Sequence, residues 1–131
     1  MAADHRCFVW LEIRSLAMTA SEIGLALGVG ADRSWSVGDK RGSSIRVYRD
    51  NGFVIESGLP LVEELDDHVG SLLRRLVPLA ACLKGLADQV TIGFRCALYR
   101  ERVPALNFPP DLLGLLGGIG ASLDVDLYVG G

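Results

Sequence analysis

Three stretches of this chain alternate apolar and polar residues with period two, and that pattern limits the fold more than any other feature. Over residues 5–14, Cys7, Val9, Leu11 and Ile13 share one side, and Arg6, Phe8, Trp10, Glu12 and Arg14 share the other. Over 90–99, Val90, Ile92, Phe94, Cys96 and Leu98 oppose Thr91, Gly93, Arg95, Ala97 and Tyr99. Over 122–129, Leu123, Val125, Leu127 and Val129 oppose Ser122, Asp124, Asp126 and Tyr128. Strands covered on both faces read as continuous apolar runs, whereas strands covered on one face alternate. The expected fold is therefore α+β: a two-layer sandwich, ferredoxin-like in general character, with helices packed on one face of a mainly antiparallel sheet of four or five strands.

Between these strands the signals are helical or turn-forming. Thr19 stands three residues before Glu22, the spacing of a capping box, and Ile23, Ala26 and Leu27 supply an apolar stripe. Gly28 suits the left-handed residue that ends such a helix. Residues 31–44 read as a polar loop. A hairpin is expected next, with strands over 45–48 and 53–56 and a turn at Asp50, Asn51 and Gly52, because Asn-Gly tolerates the positive φ of tight turns. A long helix is expected to open at Pro60, its stripe made by Leu61, Leu65, Val69, Leu72, Leu73 and Leu76. Acids crowd its start and Arg74 and Arg75 its end, which complements the helix dipole. Pro78 interrupts it, Cys82 and Leu83 belong to a further short segment, and 103–108 is either a short strand or an extended lead-in. Pro109 and Pro110 open a last helix that Gly117, Gly118 and Gly120 close.

The chain has 131 residues, which predicts one domain over 1–131 with its ordered core at about 5–129. Half the residues are hydrophobic and 22% are charged, enough apolar material for a packed core. A net charge of −3 argues against a nucleic-acid binder, which needs a basic face. Three cysteines (Cys7, Cys82 and Cys96) make an odd, widely spaced set that does not read as a disulfide framework. The first residues do not read as a secretory leader, and no run of 18 apolar residues exists to span a membrane. A cytoplasmic protein is expected. Eleven of the thirteen basic residues are arginine, which reflects either coding bias or a use for bidentate anion contacts.

Met18, Thr19, Glu22, Ile23, Leu27 and Gly28, then Arg33, Trp35, Gly38 and Asp39, then the closing run over 120–128 that includes Leu123, Asp124, Val125, Asp126 and Tyr128, resemble a bacterial family catalogued as domain of unknown function 4279. The resemblance covers the chain from about Phe8 to Val129. It implies a small bacterial α+β domain and transfers no catalytic residues. Related small domains are suspected of being immunity proteins for bacterial toxins, so a toxin-like partner is one expectation by association.

Two regions carry the candidate binding residues. The polar face of the sheet is expected to present Trp10, Glu12, Arg95, Asp124, Asp126 and Tyr128, a mixture that binding surfaces favour. It is a solvated sheet with Arg95 paired to Asp124 or Asp126, a homodimer interface, or a site for a small molecule or protein partner. The loop with Trp35, Gly38 and Asp39 either plugs the edge of the core or offers a recognition surface, and Lys40, Arg41 and Arg46 make it the most basic stretch. His68, four residues after Glu64, reads as a surface ion-pair partner. Asp124 and Asp126 share a strand face, but two acids without a third fixed ligand do not define a metal site. No zinc spacing, nucleophile elbow or phosphate-loop fingerprint is present, so no cofactor, metal or catalytic residue is expected. The leading reading is a non-enzymatic binding module. The alternative is a small enzyme or metabolite sensor with Arg95, Asp124 and Asp126 in a pocket between the sheet and the Trp35 loop.

Overall fold

A computed structural model describes residues 5–130; residues 1–4 and Gly131, at the two ends of the expected domain, lie outside it. The elements are β1 (Arg6–Ser15), α1 (Ala20–Leu27), β2 (Arg33–Trp35), β3 (Asn51–Glu56), α2 (Leu65–Leu76), α3 (Ala80–Gly85), β4 (Thr91–Arg100), α4 (Pro110–Ile119) and β5 (Ser122–Val129), with a single 3₁₀ turn, Val77–Leu79, between α2 and α3. The fold is α+β, built on one mixed sheet in the order β2-β3-β1-β4-β5. Three of its four pairings are antiparallel, and β4 and β5 run parallel. The parallel pair needs a crossover, and α4 supplies it.

The alternation produces the core it promises. Cys7, Val9, Leu11 and Ile13 of β1 join Ile92, Phe94, Cys96 and Leu98 of β4 in one buried cluster. Buried side chains of all four helices enter the same cluster, including Ile23, Leu72, Leu83 and Leu112. Thr19 caps α1 through the expected box: its hydroxyl accepts from the Glu22 amide at 3.2 Å, and the Glu22 carboxylate accepts from the Thr19 amide at 3.1 Å. Burial raises the thiol pKa of Cys7, and pushes that of Cys96 up to about 12, so both behave as small apolar groups.

Three expectations need correction. The hairpin is built from other residues: β3 starts at Asn51 and pairs with β2, Trp35 opposite Gly52 and Arg33 opposite Val54. Asn51 and Gly52 are thus strand residues, and Trp35 lies in a strand instead of a loop. The reason is tertiary. The buried Asn51 amide donates to the Met18 carbonyl at 3.0 Å and accepts from the Val37 amide at 2.9 Å. The Trp35 ring lies where a side chain on residue 52 would stand, so that position requires glycine. The long helix opens at Leu65 and not at Pro60, because the preceding segment extends the sheet edge. There the Cys7 amide donates to the Leu61 carbonyl at 2.8 Å and the Ser57 amide to the Val9 carbonyl at 3.2 Å. Of the two readings of residues 103–108, the strand is absent and the lead-in to the last helix stands. On β5, Leu123 and Val125 pack on the core, while Leu127 and Val129 stay outside it at 38% and 48% exposure.

Candidate functional site

Strand register lays out the second face of the sheet as rows. One row carries Glu56, Trp10, Arg95 and Asp124 side by side across β3, β1, β4 and β5. The next carries Arg33, Val54, Glu12, Gly93 and Ser122. On the far side of the Trp10 row stand Phe8, Ala97 and Asp126, followed by Arg6, Tyr99 and Tyr128. This face is half-covered, not open: Phe8, Trp10, Glu12, Arg14, Arg95 and Tyr99 are all of intermediate burial.

Arg95 is the organising charge. Its Nε donates to Glu12 Oε2 at 2.9 Å, while Asp124 is 3.9 Å from Nη1 and Asp126 makes no ion pair with it. The expected pairing with β5 is therefore secondary to a pairing with β1. Glu12 also faces Arg14 at 3.6 Å, so one carboxylate serves two guanidiniums. Gly93 stands directly opposite Glu12, and a Cβ there would make only ordinary van der Waals contact with Arg95 Nε, at 3.5 Å.

The segment between β2 and β3 folds into an arm. The Gly38 amide donates to the Tyr48 carbonyl at 2.9 Å, the Tyr48 amide to the Asp39 carbonyl at 2.8 Å, and the Arg41 amide to the Arg46 carbonyl at 3.0 Å. Gly38 adopts φ +91°, and the Asp39 carboxylate accepts from the Ser36 amide at 2.8 Å, which closes the turn into the arm. Trp35 stacks on Tyr48 with centroids 4.4 Å apart and planes at 14°. The arm and the second face enclose a cleft of about 970 Å³, lined by Trp10, Glu12, Arg14, Trp35, Arg95 and the arm residues Arg41, Ile45–Asp50. Four of the sequence candidates (Trp10, Glu12, Trp35 and Arg95) thus meet in one cleft. Gly38 and Asp39 shape the arm without lining it, and Asp124, Asp126 and Tyr128 lie elsewhere on the face.

Asp126 and Tyr128 line a second cavity of about 730 Å³, with Trp10 shared between the two. Tyr128 stacks on Tyr99 at 4.5 Å, and the Arg6 guanidinium sits 4.4 Å over Tyr99. His68 and Ser57 also line this cavity. His68 is not a surface residue: it is 1% exposed, and its Nδ1 is 2.6 Å from Ser57 Oγ. Burial pushes its pKa down, opposed by the Pro60 carbonyl and by Glu63 and Asp67. Sequence reading missed this group, although His68 is three residues after Leu65 and four before Leu72, squarely on the apolar stripe of α2. Among the described residues, no three of His, Cys, Asp and Glu converge to hold a metal ion, and no helix is long and apolar enough to cross a membrane.

The family model of a domain of unknown function (DUF4279) matches residues 5–130, nearly the whole chain. The chain belongs to that family. No curated protein and no solved structure matches it.

Proposed function

We propose that this family member is a non-enzymatic binding module whose site is the cleft between the second face of the sheet and the arm. One observation carries the reading: residues distant in sequence, Trp10 and Glu12 on β1, Trp35 on β2 and Arg95 on β4, converge with the arm around a single cleft of about 970 Å³. That size is in the range of small-molecule sites, and the lining combines the rings of Trp10, Trp35 and Tyr48 with seven charged side chains. In this reading the domain acts in a bacterial cytoplasm, and the fold is a two-layer sandwich of helices on one sheet, ferredoxin-like in general character, with α4 and β5 added beside β4. Dimerisation through the exposed Tyr128 end of the face, and neutralisation of a toxin-like protein, are narrower versions. A toxin gene immediately upstream would favour the latter.

The alternative, a small enzyme or sensor built on Arg95, Asp124 and Asp126, has less support. Arg95 lines the cleft, Asp126 lines the other cavity, and Asp124 lines neither. Native mass spectrometry of the protein isolated from bacterial extract tests the main reading. Ile45 lines the cleft at its lip and is 97% exposed, so Ile45→Asp leaves the core intact. The wild type is expected to carry a bound species that Ile45→Asp releases. Identical spectra for the two proteins would overturn the reading.

A further inference from the structure

The cleft has far more hydrogen-bond donors than acceptors. Five arginines line it (Arg14, Arg41, Arg46, Arg49 and Arg95) against two acids, Glu12 and Asp50, in a chain whose net charge is −3. Those two acids are already engaged by the arginines of the sheet: Glu12 by Arg95 at 2.9 Å and Arg14 at 3.6 Å, and Asp50 by Arg14 at 4.0 Å. Among the described residues no carboxylate lies within ion-pair distance of Arg41, Arg46 or Arg49. The Arg41 guanidinium instead rests 5.2 Å over the Tyr48 ring.

Arg41 and Arg46 are neighbours in the arm, where the Arg41 amide donates to the Arg46 carbonyl at 3.0 Å, so two of these three cations are carried on adjoining backbone.

We infer that the cleft binds a small polyanion, a molecule with two or more negative charges on phosphate or carboxylate groups. Three arginines without a carboxylate partner set the charge: a monoanion would leave two of them uncompensated. Guanidinium forks grip both phosphate and carboxylate oxygens in pairs. This inference rests on the cleft being the binding site and adds the chemistry of what enters it.

The chain has two tryptophans and both line the cleft, so intrinsic fluorescence reports binding directly. The experiment titrates wild-type protein with pyrophosphate and, separately, with citrate, at about 0.1 M and again at about 1 M salt. A saturable fluorescence change is expected with at least one of them, weakening at high salt, and the stronger arm identifies the anion class. Arg46→Gln combined with Arg49→Gln, both on exposed side chains of the arm, is expected to weaken binding about tenfold or more. Arg74→Gln combined with Lys84→Gln removes the same charge from α2 and α3, away from the cleft, and is expected to change affinity less than about twofold. Absence of saturable binding, or equal losses in the two double variants, would overturn the inference. If Ile45→Asp still releases a bound species while neither anion binds, the polyanion inference alone falls; if that variant releases nothing, the cleft reading falls with it.

Discussion

His68 shows how one side chain couples the fold to pH. Its ring is buried between α2 and the segment after β3, held by Ser57 Oγ at 2.6 Å, and Ser71 Oγ in turn donates to the Ser57 carbonyl at 2.7 Å. Burial lowers its pKa from the ordinary 6.5, Arg100 adds to that lowering, and the Pro60 carbonyl, Glu63 and Asp67 oppose it. A base with a depressed folded pKa is neutral in the fold, so the unfolded chain takes up the proton first. Its stabilising effect is fully present above the unfolded pKa and is lost as pH falls below that value toward the folded one. Thermal melting is therefore expected to fall more steeply for the wild type than for His68→Gln between about pH 7 and about pH 5. The comparison of slopes cancels the carboxylates common to both proteins, and parallel melting curves would contradict the assignment. The spacing from Glu64 suggested a surface pair because it counts only charged neighbours. The spacing from Leu65 and Leu72 places the same ring in the core.

At the level of elements, the period-two strands and the α1 capping box were legible because each is decided by residues a few positions apart. The β2–β3 hairpin was not, because its turn signal is local and its pairing is tertiary. Asn-Gly is permissive of a tight turn but does not require one. Here Asn51 uses both ends of its amide to tie the strand to residues 18 and 37. Gly52 is needed for a close approach: a Cβ would stand 2.0 Å from Trp35 Cε2. Gly52→Ala should displace the indole from its stack with Tyr48, destabilise the protein by about 1–3 kcal/mol and move tryptophan emission to the red. In a Trp35→Ala background the same substitution should have little effect, since the clash is gone. A double-mutant cycle measures this, and additive effects would show that the ring and the glycine are independent. The cleft depends on the same contact, because Trp35 anchors the base of the arm. Of its four sequence-legible members, Trp10, Glu12 and Arg95 came from face alternation, and Trp35 stood out as a tryptophan in a polar stretch. The arm's own arginines were visible only as a basic stretch, since nothing local shows that residues 41–49 fold back over β1.

Across the whole molecule, the sheet order distributes stability unevenly. β1 and β4 are ten-residue central strands, each paired on both sides, and their apolar faces form the middle of the core. β5 is paired on one side only, and Leu127, Tyr128 and Val129 at its end are 38–50% exposed. β2 is an edge of three residues. Asp124 and Asp126 on β5 oppose edge-to-edge pairing, since charged side chains on an exposed edge discourage another strand from docking there. Amide exchange follows the local opening free energy. In dilute protein the slowest amides are therefore expected in β1 and β4, with β2 and the outward-pointing amides of β5 exchanging well before global unfolding. Exchange read residue by residue checks this, and β5 amides as protected as those of β1 in dilute solution would contradict it. Raising the protein concentration separates the two uses of the second face. If copies pair through the Tyr128 end, β5 becomes protected as concentration rises while the arm does not. If a polyanion fills the cleft, the arm amides slow on its addition and β5 is unchanged.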